Sequence, residues 1–532
     1  MLGGVSPDSN AQTIWKGTGA TGGNGTWATA GEWSAGVPTT LVDARFQVDT
    51  TYTSPTAAIA VTGAQATKLL VVGLGKSATL QFANGASLNA AGISTIGSNS
   101  TGTGTGAASL TFEGPGTGSA TVSMIRFDVL RSSAMTFTGS LLTASSNGDS
   151  SIGRSATAGD GNSTMSVLNG AHLSLLSLAI GRGTSNNTVL VSGAGSVMSM
   201  STTMGVGSSD ANSAANALQV QSGGNVTITG LATAGQGTGG HSNYYEATGA
   251  NSTITFTGGI RVGDQAATPL NNGGNYLRFA SGGTGKFAAA LDINSYDSSG
   301  TNYGSNYVKV DAGGTLTSSN TINVKNNGLL QLAATGAIEG RTPAGGASTA
   351  TIAVASGGRF EAAGTGLGDA NTVLTTVSSG GSFAVGLGGR ASASILTLSN
   401  TASKLTLNTG STLEIGLFGA TSSDQLNFTT TNILTVGTGV NFKLTLQGYV
   451  PVTGNSWTIF TGSNGFSTGS AANLAAATFV EPSLSVGLSW DTTKFNQANG
   501  WVVSVAGVPE PSTVILFGLS LSALWIARRR KA

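Results

Sequence analysis

Chemistry needs ionisable side chains held close together, and this chain has few. Of its 532 residues, 23 are Lys or Arg, 22 are Asp or Glu, and two are His. His172 and His241 lie far apart in sequence, and no HExxH or paired-His spacing of the kind that binds catalytic zinc occurs. There is no Asp-rich calcium repeat. Asp149 and Asp160 flank Arg154, and Asp292, Asp297 and Asp311 form a loose group. Polysaccharide lyases and glycosidases work through clustered acids and bases, so these are the positions at which such a site would be sought. Groupings this loose arise by chance among 22 carboxylates. Asp424 has no second carboxylate at ligand spacing and reads as a turn residue rather than a cation ligand. Gly17-Thr18-Gly19-Ala20-Thr21-Gly22 spells GxGxxG, but no βαβ unit surrounds it, as dinucleotide binding requires. The sequence therefore predicts no catalytic residue, no cofactor and no metal.

The elements that would position any such site are strands. Short apolar alternations recur, as in Leu80-Gln81-Phe82, Leu218-Gln219-Val220, Val308-Lys309-Val310 and Ile322-Asn323-Val324. Each is followed within a few residues by Gly or Asn-Gly, which is the pattern of many short strands joined by turns. An Ile-Gly or Val-Gly step returns at Ile96-Gly97, Ile152-Gly153, Ile180-Gly181, Val206-Gly207 and Val262-Gly263, with Ala234-Gly235 between the last two. The unit is about 28 residues, and a strand-built unit of this length marks a solenoid, in which stacked coils share one core. Only 8% of the residues are charged, against about 25% in ordinary globular proteins. Stacked Ser, Thr and Asn would satisfy one another on the outer faces. The net charge of +1 provides no field to draw in nucleic acid. The absence of Cys excludes disulfides and thiolate metal sites.

The predicted fold class is all-β: a right-handed parallel β-helix (solenoid) with a β-rich C-terminal cap and a single C-terminal transmembrane helix. Residues 1–11 read as a residual signal region, with Ser9-Asn10-Ala11 like the small-residue end of a signal peptide whose start lies upstream. Residues 12–50 are a Trp/Gly-rich N-terminal module, with Trp15, Trp27 and Trp33 expected to pack as a hydrophobic lid. Stacking of Trp27 or Trp33 on a sugar ring is the alternative. Residues 51–400 are solenoid repeats, about 13 rungs and roughly 60 Å long at about 4.8 Å per rung. Residues 401–506 are a β cap that protects the end of the array from strand addition.

The last segment, 507–532, has a different character. Val508-Pro509-Glu510-Pro511-Ser512 precedes an uncharged run from Thr513 to Ala527, and then Arg528-Arg529-Arg530-Lys531. As a helix the run would span roughly 22 Å, short of a hydrocarbon core of about 30 Å unless Trp525 and the arginines reach the interface. The basic cluster keeps the extreme C-terminus cytoplasmic and places the rest of the chain across the membrane.

This order of parts resembles the PEP-CTERM sorting signal of Gram-negative bacteria. The resemblance implies recognition of Pro509, Glu510 and Pro511 by an exosortase-type processing enzyme, transient anchoring in the inner membrane, and release to the cell surface or exopolysaccharide matrix. The stretch Ala179–Thr188, with Val191–Ser196, is similar to repeats of autotransporter-type passengers and related PEP-CTERM surface proteins. The expected function is a non-catalytic, exported structural or adhesin-like protein with exopolysaccharide as a candidate partner. A carbohydrate-active β-helix enzyme, or a carbohydrate-binding protein on the same scaffold, is the alternative.

Overall fold

The computed structural model of the chain describes residues 12–16, 25–46, 58–98, 106–154, 161–207, 213–236, 240–264, 273–294, 306–368, 370–431, 433–462 and 465–508. Alternation sets the local geometry. In Ala217–Gln221, Leu218 and Val220 are buried while Gln219 and Gln221 are half-buried on the outside. A strand with one apolar edge cannot stand by itself, and here each is paired in parallel with its counterpart one coil away. Thr188–Ser192 pairs with Ala217–Gln221, which pairs with Tyr244–Thr248.

Each coil has three such faces. Face one is a single parallel sheet of 16 strands among the described residues. Face two holds strands such as Val197–Met200 and Asn225–Ile228, and face three those such as Met204–Val206 and Ala232–Gln236. His172–Arg182 runs continuously over both, its first half pairing on face two and its second half on face three. Coil length varies: Thr164 pairs with Thr188, but Tyr244 pairs with Tyr276. The difference lies in the return from face three to face one, short between Arg182 and Thr188 and longer between Asp264 and Tyr276. That is why the sequence repeat drifts around 28 residues.

Inward side chains stack coil on coil into one apolar column that runs from Trp15 to Val505. Phe112 and Phe137, register partners of neighbouring coils, stack at 5.1 Å with rings 12° apart. Thirteen of the face-one strands, from Ile59–Val61 to Ser382–Val385, fall between residues 51 and 400. The parallel ladder does not stop there. It continues through Thr412–Leu417 and Asn441–Leu446 to Thr478–Val480, because Leu413, Ile415, Phe442 and Leu444 keep the inward alternation. The change of pairing comes later. Leu488–Asp491 and Ser456–Thr458 flank Val502–Gly507 in an antiparallel sheet, and Phe442, Phe495 and Trp501 pack beneath it. At the other end, Trp15, Trp27 and Trp33 meet edge-on at 5.0 Å over Phe46 and close the column.

Candidate functional site

The recurring Ile/Val-Gly step sits at the corner that leads out of face three. Gly153, Gly181, Gly207, Gly235 and Gly263 have φ between +68° and +73°, where a side chain is strained. They also lack room for one. A β-carbon at each would come within 2.1–2.3 Å of Asn187, Asn216, Asn243, Asn275 and Asn306 respectively. These asparagines open successive face-one strands and are fully buried. The side-chain N–H of Asn187 donates to the amide oxygen of Asn216 at 2.8 Å, Asn216 to Asn243 at 2.9 Å, Asn243 to Asn275 at 3.1 Å, and Asn275 to Asn306 at 3.0 Å. Each amide oxygen also accepts the backbone N–H of the preceding member, as Asn243 does from Asn216 at 3.0 Å. The second amide hydrogen is taken by a carbonyl, Ser213 O for Asn243 at 2.7 Å. Buried amides so satisfied are structural. Sequence reasoning found the glycines and missed the asparagines; the available signal was an Asn directly before Thr188, Ala217, Tyr244, Tyr276 and Tyr307.

The outer side of face one carries the densest group of charges and aromatics. Tyr244, Tyr276 and Tyr307 are register partners stacked at 4.7 and 5.0 Å with nearly parallel rings. Burial pushes the Tyr276 and Tyr307 phenols up. In the adjacent file Arg278 donates to Glu246 at 2.7 Å and Asp311 at 2.6 Å. Further along, Arg359 holds Glu361 at 2.7 Å and Glu414 at 2.8 Å, and Lys443 reaches Glu414 at 3.2 Å. Burial acts to raise the Glu414 carboxyl, but Arg359 and Lys443 outweigh it and hold the group below its ordinary value. Three aromatics and four carboxylates lie along this face, spread over several coils, and each of these carboxylates has a cation.

The loose groups seen in the sequence separate. Asp160 and Asp297 lie outside the described residues. Asp292 is on face three, 3.7 Å from Lys325, whereas Asp311 is on face one with Arg278. Asp149 accepts from the Ser177 hydroxyl at 2.5 Å, and Arg154 reaches Asp128 at 3.9 Å. Asp424 is buried and ties a corner: it accepts from Arg390, from Ser394 N–H at 2.9 Å and from Gly416 N–H at 2.8 Å. Burial raises its carboxyl in spite of these donors. Trp27 and Trp33 are fully buried, and Trp33 Nε1 donates to Trp27 O at 2.9 Å, so neither presents a face to a sugar. His172 is exposed at the start of a face-two strand, and His241 is also exposed. Among the described residues no group of three or more His, Asp or Glu is placed to hold a metal ion. Val508 is exposed and donates its N–H to Gly487 O at 2.8 Å. Pro509, Glu510, Pro511 and Ser512, the expected membrane span and Arg528–Lys531 lie outside the described residues. No helix among the described residues is long and apolar enough to cross a membrane.

A parallel β-solenoid closed by aromatic clusters is thus the class to which the body belongs. Residues 507–531, directly behind the last strand, match the PEP-CTERM protein-sorting motif. That motif implies export, membrane-anchored sorting with processing by an exosortase-type system, and delivery to the cell surface. No curated protein matches the chain. Among solved structures, it is similar to the crystal structure of the TibC-catalysed hyper-glycosylated TibA 55–350 fragment, at 14% identity and a TM-score of 0.27, over 76% of this chain and 99% of that one.

Proposed function

We propose that this chain is a non-catalytic surface or matrix protein of a Gram-negative bacterium, a stiff rod anchored in the inner membrane by its C-terminal segment until an exosortase-type enzyme cleaves near Pro509-Glu510-Pro511. The observation that carries this reading is the sorting motif at 507–531, placed immediately after a rod that already has its own cap. Among the described residues the apolar column runs to Val505, ahead of the Pro509-Glu510-Pro511 motif. The stacked polar files suit display: they satisfy themselves coil by coil and leave a long, weakly charged surface for exopolysaccharide or neighbouring cells. The ion-paired strip on face one argues against hydrolysis or elimination, since every carboxylate there is held by a cation.

The test is the C-terminus of the mature protein, read by mass spectrometry in a host that carries the processing enzyme. The expected product lacks Arg528–Lys531 and is found outside the inner membrane. Changing Pro509 and Pro511 together to Ala should leave the full-length chain in the membrane. A mature protein that retains Arg528–Lys531 overturns the reading.

A further inference from the structure

The outer side of face three dips over two coils. In the file Ser151, Ala179, Gly205, Thr233, each residue is the register partner of the next, and the middle two carry no more than a methyl group. Taller side chains surround the dip and make a cleft of about 310 Å³ bounded by Asp149, Arg154, Ser177, Arg182, Thr233 and Gln236. That is the lower end of the range for small-molecule sites, room for one sugar ring.

Among the described residues that bound this cleft, positive charge exceeds negative. Asp128 is buried and already holds Arg126 through both its oxygens, at 2.8 and 3.0 Å, and the Ser151 hydroxyl at 2.5 Å. Arg154 only approaches it, at 3.9 Å. Arg182, the register partner of Arg154, is exposed and has no carboxylate partner among the described residues. Two guanidinium groups therefore sit in register on neighbouring strands, whose backbones lie about 4.8 Å apart. Like charges in register are destabilising. Among the described residues that bound the cleft, two arginines, Arg154 and Arg182, stand against one carboxylate, Asp149.

We propose that this cleft binds a carboxylate-bearing sugar, a uronate unit of an acidic polysaccharide. The carboxylate lies between Arg154 and Arg182, whose planar forks match its two oxygens. The sugar hydroxyls donate to Asp149 and bond Ser177, Thr233 and Gln236. A single excess charge suits a monoanion, and Asp149 disfavours a dianion such as a phosphate monoester. The cleft has no aromatic floor, so affinity rests on polar contacts and is weak, with Kd on the order of 1 mM for a short oligomer. The biological sense of the site rests on the matrix reading above; its chemistry does not.

Saturation-transfer NMR on the full-length protein in detergent tests this, with tetragalacturonate as the probe and a neutral galactose tetramer as the control. Tetragalacturonate should bind and the neutral oligomer should not. Arg182→Ala should weaken binding at least about fivefold, Arg182→Lys should restore part of it, and neither should lower the melting temperature. Ala179→Leu, which fills the dip, should abolish binding. Equal binding of the neutral oligomer, an unchanged affinity in Arg182→Ala, or no signal at about ten times the expected Kd overturns the site. Because the readout is direct binding by purified protein, its failure leaves the sorting reading intact, and an unprocessed tail in cells leaves the cleft intact.

Discussion

Two files of side chains run along this rod, one inside a corner and one on an open face, and they solve the same stacking problem with different physics. The corner file is neutral and dry: five buried asparagines pass hydrogen bonds from coil to coil at 2.8–3.1 Å. The face-one file is charged and wetter: Arg278 bridges Glu246 and Asp311, and Arg359 bridges Glu361 and Glu414. A buried hydrogen bond contributes modestly when made, but its loss strands polar groups that water cannot reach. An exposed ion pair contributes about 0–1 kcal/mol and is screened by salt. The corner should therefore set the stability of its coils under all conditions, whereas the face should respond to pH and salt.

The largest break in that comparison comes from Gly207→Ala. The residue has φ +70°, and a β-carbon would lie 2.2–2.5 Å from the Asn243 amide. A left-handed conformation costs an L-residue about 1–2 kcal/mol, and pushing Asn243 out of line adds about 1–3 kcal/mol of unsatisfied buried groups. We expect the surrounding coils to lose about 2–5 kcal/mol. Repeat arrays open locally, so the measurement is hydrogen exchange at the backbone amides of Asn216 and Tyr244 rather than one global melting point. Unchanged protection there would mean that the corner is not what holds these coils. Asn243→Ala should cost less, about 2–3 kcal/mol by the same readout, because it removes the amide without the steric conflict. It leaves Asn216 N–H and the Asn216 side chain without their acceptor.

The corner also shows how far the sequence can be read. The glycine half of each contact was legible because it follows the last apolar residue of face three, as in Val206-Gly207, so it rides on the strand pattern. The asparagine half was not, because Gly207 meets Asn243 only after one further coil, across a return segment of variable length. In earlier coils the same file is occupied by Ser133 and Ser163, which blurs the repeat; Ser133 Oγ accepts from Ala108 N–H at 3.1 Å. On face one, Arg359 and Glu361 are two apart and visible as a pair, but the bridge from Arg359 to Glu414 spans two coils and depends on register. The extension of the ladder past residue 400 was hidden for another reason. A shift to aromatic composition around Phe442, Trp457 and Trp490 reads as a new unit, while Leu413 and Ile415 keep the old alternation. The cleft on face three is made by what is missing, the side chains of Ala179 and Gly205, and such an absence becomes a site only once the neighbours are in place.

The smallest expected effect sharpens the comparison most, because it separates charge from shape. Burial acts to raise the Glu414 carboxyl, but hydrogen bonds and charge from Arg359 and Lys443 dominate and set it below its ordinary value of 4.5. A depressed carboxylate contributes stability that is present above its unfolded value and is lost as pH falls through the folded one. Glu414→Gln keeps the shape and removes the charge. At neutral pH it should cost less than about 1 kcal/mol, since the Arg359 and Lys443 partners are partly exposed. Its signature is in the pH dependence: on acidification from pH 4.5 downward, the variant should lose stability less steeply than the parent. Asp424 acts in the opposite sense, because burial raises its carboxyl above 3.8 and its contribution is lost as pH rises through that window. It is retained in both proteins and cancels from the difference. Asn243→Ala should instead run parallel to the parent across the same acid range, because nothing in the corner titrates. Repeating the comparison in 1 M NaCl, where the screening length falls to about 3 Å, should shrink the Glu414→Gln difference and leave the Asn243→Ala difference unchanged. If both variants respond alike to acid and salt, the two files do not differ in kind, and the distinction between a dry amide ladder and a wet ionic one fails.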